Sequence, residues 1–405
     1  MSSAFMNTYH RLPVTFESGE GAILTDVNGN QYIDWTSGIA VNCLGHNYPP
    51  LVNAISAQAA KLLHTSNYFE SDISNAFAEK LCAVSKMNKV FLCNSGAEAN
   101  ECAIKIARKY SFKKYGEGRH TIVTLLGGFH GRTITTLSAT GQEKFHVNFG
   151  PWTQGFSFIP PQALPPSPLV SEERSIPANA DALDAALDSK TAALMLEPIQ
   201  GESGVIPLDG AFVKRAAELC AERDILLIFD EVQSGVGRTG KFFAHEHFGV
   251  RADIATLAKG LAGGIPIGAA LANEKTADVL ETGDHGSTFG GNPLAAAAGL
   301  VVLDKIGNDN FLSQINELGN QLMDGLQALD KKKILSVRGK GLMIACDIPL
   351  DAWDVLVKLI SLAKTETEGL LLLSAGAKTL RFLPPYIISK EEIDRGLRLL
   401  DRVLK

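Results

Sequence analysis

A chain of 405 residues is long enough to bury a large core and to divide into two domains. With 45% apolar and 20% charged residues it is neither disordered nor fibrous, and its net charge of −6 argues against a nucleic-acid partner. Cys43, Cys82, Cys93, Cys102, Cys220 and Cys346 form no C-x-x-C pair and sit mostly among apolar neighbours, as expected of reduced core residues. Residues 1–11 lack the basic-then-apolar order of a signal peptide, and no apolar run approaches the ~18 residues of a membrane span. The expectation is a cytoplasmic protein with no membrane association.

In chain order, residues 14–34 carry a hairpin signal at Asp26-Val27-Asn28-Gly29. Short β-rich runs then alternate with helical patterns: strand 89–93, helix 97–110, strand 121–126, strand 191–197, helix 210–222 and strand 225–229. Such alternation predicts an α/β fold with a mostly parallel sheet covered by helices. Between 159 and 177 six prolines lie among polar residues, which reads as an exposed loop. Beyond about 303, helices alternate with strands at 334–337, 341–346 and 379–383. Both chain ends are expected to form a smaller α+β domain (1–55 and 303–405) beside a large domain (56–302).

The chemistry points to Lys259. It lies in a small, apolar, glycine-rich stretch, where a lysine pKa falls far enough for the amine to form a Schiff base with an aldehyde. Upstream, the apolar run 225–229 ends at Asp230, a carboxylate placed to hold the proton of a pyridinium nitrogen. An amine for the aldehyde and an anion for the ring nitrogen are what pyridoxal phosphate needs from a protein. Asn94-Ser95-Gly96-Ala97 stands between a strand and a helix, where exposed amides attract a phosphate; serine and glycine also begin helices for capping alone.

Other candidates stay ambiguous on their own. Gly235-Val236-Gly237-Arg238-Thr239-Gly240 fits the dinucleotide fingerprint, yet five residues separate it from the strand and no helical stripe follows, so a glycine-rich loop is the stronger reading. His245-x-His247 lacks further ligands, and no metal site is expected. His130 is either a site residue or a hydrogen-bonded core histidine. Arg132, among small residues at a strand-to-helix turn, is expected to bind a carboxylate or phosphate, or to form a structural salt bridge.

Taken in order, the motifs Ser37-Gly38-Ile39-Ala40-Val41-Asn42, Asn94 to Glu101, Phe129-His130-Gly131-Arg132-Thr133, Glu197 to Glu202, Phe229 to Gly235, Ala258-Lys259-Gly260 and His285 to Pro293 resemble the class III pyridoxal-phosphate aminotransferases. The likeness spans essentially the whole chain and is strongest toward the acetylornithine branch. It implies the fold type I architecture, with a mostly parallel seven-stranded sheet, and an obligate homodimer with shared active sites. Lys259 would hold the cofactor and shuttle the proton, Asp230 would face the pyridine nitrogen, Gln233 the ring hydroxyl, and Phe129 the ring face. Glu231 and Val232 would border the cofactor, while Gly96, Ala97 and the neighbouring subunit's Thr288 would hold the phosphate. Arg132 and Ser287 would bind the substrate's α-carboxylate end. Glu202 would neutralise Arg381 until glutamate or 2-oxoglutarate needs that arginine.

The implied reaction moves an amino group from acetylornithine to 2-oxoglutarate. Ornithine enzymes usually place a tyrosine where this chain has Ile39 and Val41, which favours an acylated ornithine. Succinylornithine, 4-aminobutyrate and N-succinyl-diaminopimelate are alternative donors. A nicotinamide dehydrogenase and a non-catalytic relative are the readings from other classes.

Overall fold

The computed structural model describes residues 4–160, 180–365 and 368–405, so nearly all of the proline-rich segment lies outside the described residues. Seven strands form the central sheet in the order Lys89–Cys93, Gly268–Ala272, Ile254–Leu257, Leu226–Asp230, Thr191–Leu196, Thr121–Leu125, Phe156–Ile159. Gly268–Ala272 runs antiparallel to both neighbours, and the remaining pairs are parallel.

Thr191–Leu196 and Leu226–Asp230 are buried at every position, the signature of strands covered on both faces. Ala193, Met195 and Ile228 share one core with Cys102, Ala103, Ile106 and Ala107 of the helix Gly96–Tyr115. Leu194, Leu196, Leu227 and Phe229 pack in another with Val213 and Ala216 of the helix Gly210–Glu222. The two-residue period of a strand therefore decides which face each side chain serves. Continued one step past the strand Leu226–Asp230, that alternation sends Asp230 and Glu231 to opposite sides.

The chain ends build two further four-stranded sheets. One contains Phe16–Glu20, Ile23–Asp26, Gln31–Asp34 and the late strand Gly369–Leu371, which lies parallel to Gln31–Asp34. The expected hairpin turn is present: Asp26 Oδ1 accepts from the amides of Asn28 and Asn30, both at 2.9 Å, and Gly29 takes φ +81°. The other joins Ser336–Lys340, Met343–Asp347, Thr379–Phe382 and Leu373–Ser374. The expected boundaries after residues 55 and 302 each fall inside a helix, Pro49–Lys61 and Pro293–Ile306, and these two helices pack on each other. Among the described residues, no helix is long and apolar enough to cross a membrane.

Candidate active site

The C-terminal ends of the parallel strands meet at a cavity of about 440 Å³, lined by Asn94, Gly96, Ala97, Phe129, Asp230 and Lys259 among others. The N-terminal end of the antiparallel strand Gly268–Ala272 arrives there too, bringing Gly264 to Ile267 into the wall. Strand ends in a doubly wound sheet leave such a crevice because successive crossovers diverge from it.

One end of the cavity is a helix start. Ser95 caps the helix Gly96–Tyr115 by accepting from Glu98 N at 3.2 Å, and Glu98 reaches back to Asn94 N. The amides of Gly96 and Ala97, in the first turn, have no intrahelical acceptor and open onto the cavity. Glycine is required at 96, since a Cβ there would come within 2.6 Å of Val232 Cγ1.

Asp230, 4% exposed, is held by three donors: Asn100 Nδ2 and His130 Nδ1, both 2.8 Å from Oδ2, and the Val232 amide, 3.0 Å from Oδ1. Burial acts to lower the His130 pKa, but the hydrogen bond and charge of Asp230 outweigh it and raise the pKa above the ordinary value. Lys259 has φ +47°, an uncommon conformation for a non-glycine residue and one that clusters at functional sites. Burial lowers its amine below the usual lysine range, with Asp230 and Glu202 opposing the shift.

On the adjoining side, Arg381 Nη1 donates to Glu202 Oε1 at 2.7 Å, to Gly201 O at 3.1 Å and to Gln233 Oε1 at 3.3 Å. Burial works to raise the Glu202 carboxyl, yet Arg381 prevails and holds it below its ordinary value. Arg381 Nε is buried with no partner among the described residues, which leaves this arginine a donor to spare.

The remaining expected site residues divide. Phe129, Val232 and Gln233 line the cavity. Glu231 does not reach it: its carboxylate turns to the opposite face, accepting from Ser234 Oγ at 2.6 Å and His245 N at 2.8 Å. Arg132 lies on the cavity rim but is exposed, its guanidinium 4.5 Å from the Phe145 ring centre and 5.7 Å from that of Phe129. Solvent and two ring faces accommodate its charge. Ser287 Oγ accepts from Asn94 Nδ2 at 3.1 Å, one residue removed from the cavity, while Thr288 is exposed outside it.

Glu197 and Asn100 are site residues that the motif reading did not assign. Glu197 lines the cavity, 7% exposed, and burial pushes its carboxyl up to about 7. Apolar strand residues before an acidic one were a signal available for Glu197; nothing local marks Asn100.

The fingerprint-like loop closes on other parts of the protein instead of opening a helix. Fully buried Arg238 donates to Leu342 O at 3.1 Å and Pro384 O at 2.5 Å, fastening the loop to the segments around 342 and 384. His245 and His247 diverge, one to Glu231 and the other to Thr239. A wider depression of about 600 Å³ beside Arg108 and Lys109 is lined also by Phe112 and Glu117, while Arg108 is bonded to Gln154 O and Lys109 to Asp284.

A phosphate-sized donor set, an aromatic wall, a carboxylate for a ring nitrogen and an amine of lowered pKa in one cavity fit pyridoxal phosphate, and define an enzyme of that cofactor. Residues 4–404 match the class III aminotransferase family. The chain is 46% identical over 402 residues to the acetylornithine aminotransferase of Caldanaerobacter subterraneus subsp. tengcongensis, spanning 98% of this chain and 96% of that one. It is 43% identical over 400 residues to the acetylornithine aminotransferase of Aquifex aeolicus, spanning 98% and 99%. Among solved structures, the ornithine aminotransferase of Toxoplasma gondii superposes with a TM-score of 0.90 at 33% identity, covering 99% of this chain and 92% of that one. The N-acetylornithine aminotransferase of Stenotrophomonas maltophilia gives 0.80 at 38%, covering 96% and 95%. The chain belongs to the class III aminotransferases, and is a pyridoxal-phosphate-dependent enzyme with their fold.

Proposed function

We propose that the protein transfers the δ-amino group of N2-acetylornithine to 2-oxoglutarate, giving N-acetylglutamate 5-semialdehyde and glutamate, as a cytoplasmic homodimer in arginine biosynthesis. The observation that carries this reading is the Arg381–Glu202 pair at 2.7 Å beside the Lys259 cavity. The reacting carbon of an acylated ornithine bears no carboxylate, so a lone buried arginine beside it would be uncompensated; Glu202 supplies the counter-charge. Glutamate brings its own carboxylate, and Glu202, 30% exposed, has room to swing aside.

Bound pyridoxal phosphate supplies an electrophilic carbon and an electron sink. Lys259 Nζ, its pKa lowered, would accept the proton from the carbon bearing the substrate amine and carry it between substrate and cofactor. Asp230, oriented by His130 and Asn100, would hold the proton of the ring nitrogen. The amides of Gly96 and Ala97 would bind the cofactor's phosphate, Phe129 and Val232 would hold its ring, and Gln233 would serve its hydroxyl. Arg132, on the rim, takes the α-carboxylate of the acylated donor, with Ser287 completing that end. Val41, which lines the cavity, offers apolar surface suited to an acyl chain and not to a free ammonium group.

Shared sites are supported by the surface around Thr288. Leu63, Tyr68, Phe69 and Phe289 are exposed there, and Asn67 Nδ2 fastens the two loops through Ser287 O at 2.8 Å. A side-by-side kinetic comparison of acetylornithine, succinylornithine, ornithine and 4-aminobutyrate tests the assignment. The acetylated donor should have the highest kcat/KM, and preference for either unacylated amine would overturn it.

A further inference from the structure

We infer that Glu197 is a positioning residue that ties the aromatic wall of the cavity to the turn carrying Glu202, and that its protonation loosens Glu202 from Arg381. The inference rests on the reading of the Glu202 and Arg381 pair given above. Glu197 follows the strand Thr191–Leu196, and its two oxygens hold different segments. Oε2 accepts from Phe129 N at 2.8 Å and Oε1 from Gly201 N at 3.3 Å. Gly201 is the critical link, because its carbonyl and the next side chain, Glu202, both bind Arg381 Nη1. That turn is packed without slack: a Cβ on Gly201 would come within 2.4 Å of Gln233 Nε2, and Gln233 is itself an Arg381 partner.

An ionised carboxylate accepts strongly at both oxygens, whereas a protonated one carries an O–H on one oxygen, which is then a donor and only a weak acceptor for a backbone N–H. The longer bond, to Gly201, is the one to yield. The ionisable groups that act on Glu197 are His130 and Asp230, and Glu197 in turn acts on the Lys259 amine. Burial raises the Glu197 carboxyl, the imidazole of His130 opposes this, and Asp230 adds to it, leaving the midpoint at about 7. One proton taken up near neutrality thus releases the turn and makes Arg381 more available to a dicarboxylate.

Glu197→Gln imitates the protonated form at every pH, since its amide nitrogen is a donor in place of one acceptor. Glutarate, an unreactive dicarboxylate, is titrated calorimetrically into the holoenzyme at about pH 6 and about pH 8, a unit on either side of the midpoint of about 7. The wild type should bind glutarate about tenfold tighter at the lower pH, the scale of one charge-assisted hydrogen bond. The variant should bind tightly at both. Thermal unfolding supplies a second readout. A carboxyl raised from 4.5 to about 7 in the folded state stabilises fully below 4.5, and that contribution is lost as pH rises through about 7, so the wild type should lose stability relative to the variant across this window. Parallel pH slopes of glutarate affinity in the two proteins would overturn the inference, as a merely structural glutamate would give. Should the variant not fold, the wild-type titration decides: tightening with a midpoint near 7 supports the coupling, and a flat affinity overturns it. Glu202→Ala separates the two readings. If it leaves glutarate affinity unchanged, the underlying pair assignment has failed; if it tightens binding while Glu197→Gln keeps the wild-type slope, only the Glu197 coupling has failed.

Discussion

His130 Nδ1 lies 2.8 Å from Asp230 Oδ2, and the same oxygen accepts from Asn100 on the helix Gly96–Tyr115. The carboxylate on which the cofactor's ring nitrogen would rest is therefore oriented from two elements before any ligand arrives. A charge-assisted bond of this kind contributes about 1.5–3 kcal/mol, so His130→Ala or Asn100→Ala should weaken cofactor retention by about ten- to a hundredfold. Absorbance titration of the apoprotein with pyridoxal phosphate measures this, and wild-type affinity in both variants would remove the orienting role.

Lys259→Ala should still bind the cofactor, through the Gly96 and Ala97 amides and Asp230, but without a covalent link. Loss of the proton carrier alone should cost about 10²- to 10⁴-fold in transamination rate. Borohydride reduction of the wild type followed by peptide mapping should place the pyridoxyl group on Lys259, and its appearance on another lysine would sink the assignment.

Glu202→Ala should shift preference toward glutamate by at least about tenfold, about 1.4 kcal/mol at the barrier, a modest fraction of the roughly 3–5 kcal/mol attached to breaking a buried pair. Arg381→Ala should do the reverse, impairing the 2-oxoglutarate half-reaction and largely sparing the acetylornithine one. Single-turnover measurements of each half separate these outcomes. Equal losses in both halves for both variants would reduce the pair to a structural role.

Mixing Lys259→Ala chains with chains altered at Thr288 should restore part of the activity that each lacks alone, because one site in the heterodimer would then combine an intact lysine with an intact loop. No recovery after verified subunit exchange would count against a site built across two subunits.

Residues whose place in the cavity depends on local chain features were legible in the sequence. Lys259 and Asp230 stand at strand ends, and Gly96 opens a helix after a strand, so short motifs display them. A motif treats neighbours alike, whereas strand alternation carries Asp230 to the helix Gly96–Tyr115 and Glu231 to His245. Asn100, His130 and Glu197 come from three separate segments, and only tertiary packing makes them one network around Asp230 and Phe129. The boundaries expected after residues 55 and 302 fall within Pro49–Lys61 and Pro293–Ile306, helices distant in the chain that pair only in space.

The parallel pairing of Gln31–Asp34 with Gly369–Leu371 sets a timetable for synthesis. Tyr32, Ile33 and Trp35 leave the ribosome early, yet the strand that flanks them, and the helix Lys390–Val403 whose Gly396 makes room for the Trp35 ring, are translated near the end. At about 5–20 residues per second the interval is about 15 to 70 seconds, during which an apolar strand edge stays open. A nascent chain stalled before Gly369 would expose that edge indefinitely, so the first sheet begun is among the last to be closed.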